Sequence, residues 1–245
     1  MDPDHPAFDP ERDARYAEVV PGLYRQYDQV VGRAFDAMEP GTLLVVMSDH
    51  GFTSWRRSFH LNSWLRDEGF LAVRDPNLRK DRGLFTNVDW SRTRAYGLGM
   101  NGLYINLAGR EKTGIVPASQ QLPLMKEIQE KLLAYVDPAT GQPAVSRVYL
   151  PEESFLDGGF LDVGPDIVVG YAEMTRGSNE SALGEVPREV MSDNDEEWSG
   201  DHGMDHETVP GLLLTSRPLK KPATGLQDLA ASILAELGID GFPNE

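Results

Sequence analysis

Apolar residues recur along this chain in two rhythms. Between positions 11 and 38, Tyr16, Val19, Val20, Leu23, Tyr24, Tyr27, Val30, Val31 and Phe35 fall near i, i+3, i+4 spacing, the stripe of an amphipathic helix. Pro21 lacks a backbone donor and predicts a bend or a split in that helix. Glu39-Pro40-Gly41 stops it, and residues 43–47 follow as an apolar run of the length of one buried strand. Residues 61–69 read as a short helix, with Asn62 or Ser63 near its start and Gly69 at its end. Residues 94–98 and 102–107 read as strands parted by the turn-like Gly99-Met100-Asn101-Gly102. An amphipathic helix is predicted over 122–135, closed by Asp137-Pro138, with strands over 145–150 and 166–171. A last buried strand over 211–214 and a closing amphipathic helix over 226–237 complete the pattern.

Two stretches break the rhythm. Residues 74–93 are polar and irregular, and residues 74–120 read as a small insertion near the pocket. Residues 172–200 are rich in Ser, Gly, Asp and Glu, and a loop of that length in a compact domain is usually functional or disordered. Helices alternating with strands predict an α/β fold, a largely parallel central sheet flanked by helices. In such a sheet ligands gather beyond the carboxyl ends of the strands. No repeat of 20–50 residues interrupts the pattern.

Composition narrows the partners. The 245 residues suffice for one large domain or a modest two-lobed one. With 23 basic and 39 acidic residues the net charge is −16, which disfavours a nucleic-acid duplex or an anionic membrane as partner. The absence of cysteine excludes disulfides, thiolate nucleophiles and zinc–thiolate sites. No stretch approaches the ~18 consecutive apolar residues of a membrane span. The opening Met1-Asp2-Pro3-Asp4-His5-Pro6 does not read as a secretory signal, so localisation stays unassigned.

The candidate chemistry lies where the apolar run at 43–47 ends, in Ser48-Asp49-His50-Gly51-Phe52. Asp49 and His50 supply an oxygen and a nitrogen donor suited to zinc and similar divalent ions. A second Asp-His-Gly triplet, Asp201-His202-Gly203, supplies a later candidate. In both, the glycine permits a tight turn and leaves room beside the ligand. A capping aspartate beside a solvated histidine is the alternative reading of either triplet.

The other candidates read mainly as structure. His206 follows His202 by four residues, but Pro210 and Gly211 argue for a loop and a solvated ring. His60 precedes a predicted helix and reads as packing or capping. Arg56 and Arg57 are placed to meet a phosphate, with surface salt bridges as the default. Asp166 reads as a cap, and Asp193, Asp195, Glu196 and Glu197 as solvated surface able to shape a pocket mouth. The glycines of 97–102 resemble a nucleotide loop, but no helix follows them.

Leu44-Val45-Val46-Met47-Ser48-Asp49-His50-Gly51-Phe52 resembles the strand-end motif of the alkaline phosphatase superfamily, in its type I phosphodiesterase/nucleotide pyrophosphatase branch. Trp198-Ser199-Gly200-Asp201-His202-Gly203-Met204-Asp205 is similar to that branch's later motif. Residues 88–96, 103–111 and 164–171 are similar to segments of a bacterial subgroup, so the resemblance spans most of the chain. It implies an alkaline-phosphatase-like fold and two divalent ions, normally zinc, with Asp49 and His50 on one ion and His202 on its neighbour. It further implies hydrolysis of a small-molecule phosphodiester or nucleotide pyrophosphate. In that scheme two ions about 4 Å apart clamp the attacking and leaving oxygens of an in-line displacement.

The family pattern also places a strand-end aspartate, a Thr or Ser nucleophile and an Asp-x-x-x-His pair ahead of the residues seen here. His5 lies in the segment that follows that pair and is not expected to be the missing ligand. The chain therefore reads as a C-terminal portion, incomplete at its N-terminus, with its nucleophile supplied by an upstream segment or another chain. Two alternatives accompany this reading: a sulfatase or phosphomutase of the same superfamily, and a truncated, inactive metal-binding remnant.

Overall fold

The computed structural model describes residues 2–78, 83–151 and 163–239. Part of the irregular stretch expected over 74–93, residues 79–82, lies outside the described residues. The strands are β1 Val45–Met47, β2 Thr53–Ser54, β3 Arg57–Phe59, β4 Ala95–Gly97, β5 Gly102–Ile105, β6 Val145–Tyr149, β7 Ile167–Tyr171, β8 Thr175–Gly177, β9 Met191–Asp193, β10 Gly200–Asp201 and β11 Leu213–Thr215. The helices are α1 Pro10–Ala14, α2 Val19–Asp36, α3 Leu61–Asp67, α4 Ala118–Leu133, α5 Asn179–Ala182 and α6 Leu226–Glu236. The chain divides into two compact units, Asp9–Gly51 with Pro210–Glu245, and Asp2–Phe8 with Phe52–Val209.

In the first unit the helix expected over 11–38 is two helices. The break falls ahead of Pro21, which sits in the first turn of α2, where a missing N–H costs no intrahelical bond. Asp9 caps α1 by accepting from the Glu11 and Arg12 N–H groups, and Pro10 occupies its first position. β1 pairs antiparallel with β11, Val45 opposite Thr215 and Met47 opposite Leu213. Both strands were expected to be buried; neither is. Met47, Leu213 and Leu214 are exposed, because a two-stranded ribbon gives each strand one neighbour and covers little of either face. The apolar stripe of α2 is likewise exposed at Val20, Leu23, Tyr24, Tyr27 and Phe35.

The second unit holds a continuous core. A four-stranded sheet in the order β4-β5-β7-β6 is antiparallel throughout and packs against α4. Leu124, Met125, Ile128 and Leu132 of α4 are buried with Leu103, Ile105, Val145, Ile167 and Val169 of the sheet. The helix starts a turn before its apolar stripe, so its first residues are polar and exposed. A three-stranded sheet, β8-β3-β9, lies beside this core, with Phe59 against Tyr135 and Tyr171. The largely parallel sheet expected from the sequence does not appear. Among the described strand pairs, only β3 with β8 is parallel. β4 and β5 are joined by a four-residue turn, which permits only antiparallel pairing, whereas parallel strands need a long crossover.

Helix α3 ends as its sequence predicts. Gly69 takes φ +76°, its N–H donates to Arg66 O at 3.0 Å and the Phe70 N–H to Leu65 O at 2.8 Å, a Schellman closure with Phe70 buried behind it. Asn62 lies near the helix start as expected, and it is also a buried clamp. Its side chain donates to the Gly97 and Ser181 carbonyls and accepts the Gly97 N–H. Asp166 is no cap. It accepts the Ile105 N–H and two bonds from Arg110, whose guanidinium the carboxylate raises above its ordinary pKa.

Residues 172–200 are the largest departure. The stretch expected to be a loop contains β8, α5 and β9 and buries Thr175, Arg176, Ser178, Ser181 and Asn194. Polar residues form elements here because each buried group finds a partner. Asn194, for example, donates to the Trp55 and Trp198 carbonyls.

Candidate functional site

Asp49 and His50 follow β1 after the single residue Ser48. The Asp49 carboxylate is 73% exposed and accepts the His50 N–H at 3.1 Å. The His50 Nδ1 lies 2.7 Å from the Gly51 carbonyl, which can only accept, so Nδ1 carries the proton. In the neutral ring Nε2 is then the lone-pair nitrogen, and it sits 3.5 Å from Asp49 Oδ2. Two acceptors facing each other at that distance repel unless a proton or a cation lies between them. The backbone-oriented imidazole beside a carboxylate is the usual preparation of a metal-ligating histidine, so the donor set fits a divalent ion.

Ser48 anchors the strand end: its hydroxyl accepts the Leu212 N–H at 2.9 Å, and its own N–H donates to the Leu212 carbonyl. A Cβ on Gly211 would meet the Ser48 carbonyl oxygen at 2.7 Å, so only glycine allows the return strand this approach.

His202 belongs to the second unit and follows β10, which pairs antiparallel with β2. Asp201 repeats the local turn of Asp49: its Oδ1 accepts the His202 N–H at 2.7 Å and the Gly203 N–H at 2.9 Å. Its other oxygen, however, is held by Arg176, which stacks over the Trp55 ring at 3.6 Å. Burial pushes the Asp201 carboxyl up, but the Gly203 N–H, Arg176 and the His202 N–H together hold it below its ordinary value. Asp201 is thus spent on structure, while the His202 ring is exposed beside Phe52 at 6.2 Å. Neither Gly51 nor Gly203 takes a positive φ; what Gly203 provides is room for the Arg176 stem.

Among the described residues no group of three or more His, Asp or Glu side chains gathers as a metal cage. His5 is buried with both ring nitrogens engaged, Nδ1 accepting the Ala7 N–H and Nε2 donating to the Trp55 carbonyl. Arg56 pairs with Asp2 and Asp4, and Arg57 with Asp137 and Asp193; salt bridges were expected by default, but on the surface, whereas Asp137 is buried. His206 is exposed and touches the Tyr149 hydroxyl, which itself donates to the buried Asp205. No helix of the described residues is long and apolar enough to cross a membrane.

One cluster escaped the sequence. His60 was expected to pack or cap, and it is buried; its ring also touches two hydroxyls more than a hundred residues away, Ser178 and Ser192. No periodicity or motif could have joined them, because strand pairing alone makes them neighbours.

The model of the type I phosphodiesterase / nucleotide pyrophosphatase family matches residues 3–207. The chain belongs to that family, and it is a hydrolase whose general chemistry is the cleavage of phosphoesters. The mixed α/β architecture with several sheets is compatible with an alkaline-phosphatase-like fold. No curated protein and no solved structure matches the chain.

Proposed function

We propose that the protein is a two-metal phosphodiesterase or nucleotide pyrophosphatase in which Asp49 and His50 hold one divalent ion, zinc by the family pattern, and His202 serves its neighbour. The observation that carries the reading is the prepared pair at the end of β1: an imidazole fixed by the Gly51 carbonyl, with Nε2 3.5 Å from the Asp49 carboxylate. Divalent ions bound there supply positive charge to a developing phosphoryl transition state. The protein's own part is to hold the donors at a hydrogen-bonded strand end. Ser48 fixes that end by pairing with Leu212 of the returning segment, Gly211 lets that segment approach, and Gly51 fixes the ring. The α/β sheet with a strand-end site, and a small phosphoester as substrate, form part of the same reading.

The test uses the protein as its gene encodes it. Metal content is measured by mass spectrometry and turnover with bis-p-nitrophenyl phosphate. Wild type is expected to hold divalent metal and to cleave the diester in preference to p-nitrophenyl sulfate. Asp49→Ala is expected to lose metal and about 100-fold or more in turnover. An Asp49→Ala protein indistinguishable from wild type ends the proposal, and a dominant sulfate-ester activity moves it to a sulfatase.

A further inference from the structure

The three-stranded sheet β8-β3-β9 presents on one face a group of side chains that the phosphoester site does not use. Ser58 of β3 is the cross-strand partner of Ser192 of β9, so their side chains stand side by side. His60, two residues beyond Ser58, reaches Ser192. Its Nε2 lies 3.1 Å from Ser192 Oγ and its Nδ1 2.8 Å from Ser178 Oγ. Glu180 Oε2 lies 3.9 Å from Nδ1. A carboxylate on that side favours the proton on Nδ1, where Ser178 Oγ accepts it. Nε2 is then the acceptor for the Ser192 hydroxyl. Burial holds the His60 ring below its ordinary pKa, against the pull of Glu180, and so keeps it neutral and able to take a proton.

Nucleophile, base and orienting group in hydrogen-bond sequence are the signature of an activated serine, whatever their order in the chain. Ser192 is half-buried and lines a small cleft of about 50 Å³ together with Ser58, Asn179, Glu180, Asp195 and Glu196. Ser58 is only 7% exposed and lines the cleft directly across from Ser192. A hydroxyl donor beside the nucleophile is what a developing oxyanion requires. The volume admits an acyl group of one or two carbons. The acidic rim favours a cationic remainder and repels an anionic one.

We propose that Ser192 is a second nucleophile of this protein, activated by His60 and oriented through Ser178 and Glu180, that accepts short acyl esters of ammonium-bearing alcohols. Ser192 Oγ forms a bond to the acyl carbon as its proton passes to His60 Nε2. The ester C–O bond then breaks, and the same proton goes to the leaving alcohol. Water attacks the acyl-serine, giving a proton to Nε2, and Ser192 recovers it as the carboxylic acid leaves.

The experiment treats the full chain with methanesulfonyl fluoride in excess EDTA, so that the metal-dependent reading has no bearing on it, and maps adducts by peptide mass. One adduct is expected on Ser192, forming at least tenfold faster than any on the exposed Ser119. His60→Gln is expected to abolish it. Since His60 is buried and that variant can fail to fold, Glu180→Gln at the exposed rim provides a second test, expected to slow labelling severalfold in a folded protein. Acetylcholine is expected to be hydrolysed with a lower KM than ethyl acetate, and Ser192→Ala to lose both activities while its circular dichroism and bis-p-nitrophenyl phosphate turnover stay as in wild type. Labelling of Ser192 no faster than of Ser119, or acetyl-ester turnover that survives in Ser192→Ala, overturns the assignment.

Discussion

The two Asp-His-Gly triplets share three residues and one local turn, in which the aspartate accepts the N–H of the histidine that follows it. Their surroundings separate them. Asp49 ends a strand of the smaller unit with its carboxylate open and a prepared imidazole beside it. Asp201 is 15% exposed and locked to Arg176, which is itself stacked on Trp55. One carboxylate stands open to solvent; the other holds its own loop. A motif therefore names residues, while the neighbours of each carboxylate decide what it does.

The largest expected effect separates activity from stability. Asp49→Ala is expected to abolish most diester turnover, as given above, yet to change the melting free energy by less than about 0.5 kcal/mol, the usual size at an exposed site. Thermal melts beside the activity assay check this; a large loss of stability would mean that Asp49 is structural as well.

Asp201→Ala is expected to do the reverse. It leaves the buried Arg176 guanidinium with the neutral Asn179 and Gly177 oxygens but without its carboxylate, a change worth about 3 kcal/mol. At this chain length that lowers Tm by on the order of 10 °C. Calorimetry at neutral pH reads the shift, and a Tm equal to that of wild type would place the two triplets in one class.

A smaller contrast lies in the glycines. Gly211→Ala drives a Cβ against the Ser48 carbonyl at 2.7 Å, an unyielding backbone atom, and is expected to cost about 1–3 kcal/mol and to weaken metal binding at the strand end. Gly203→Ala meets the Arg176 stem at 3.1 Å and Asp201 Oδ1 at 3.4 Å, side-chain atoms that need give only a few tenths of an ångström, and is expected to cost less than Gly211→Ala. Denaturant titration of the pair ranks them, and equal losses would break the contrast.

The smallest effect is in acid. The Asp201 carboxyl is held below its ordinary value of 3.8, so its contribution is complete above that pH and fades as pH falls through the lowered value. Wild-type melts followed from about pH 5 to pH 3 are expected to lose stability at the low end, and Asp201→Asn to remove part of that slope. An unchanged slope would mean that Arg176 does not hold the ionised form.

Much of the fold was legible in order along the chain. The strands over 95–97, 102–105, 145–149 and 167–171 and the helices at 61–67 and 226–236 lie where periodicity and turn chemistry put them, because short-range patterning dictates them. Pairing direction was not legible. Alternation of helix and strand suggested a parallel sheet, but short turns folded the strands back antiparallel. The polar stretch 172–200 misled for a related reason: polarity looks like solvation until its partners are known, and Asn62, Asn194 and Asp166 show buried polar groups satisfied from distant segments.

The sequence by itself determined the family, the strand-end Asp49-His50 pair, the later His202 and the exclusion of cysteine chemistry, since these follow from residue types at fixed local spacing. Tertiary structure alone decided that Asp49 stands open while Asp201 is bound to Arg176, and that Ser178 and Ser192 meet His60. A carboxylate's role depends on the charge beside it and a hydroxyl's on the base within reach. Those neighbours are set by how the strands pair, across 25 residues for Asp201 and Arg176 and more than a hundred for His60 and its two serines, and sequence spacing carries no information about that pairing.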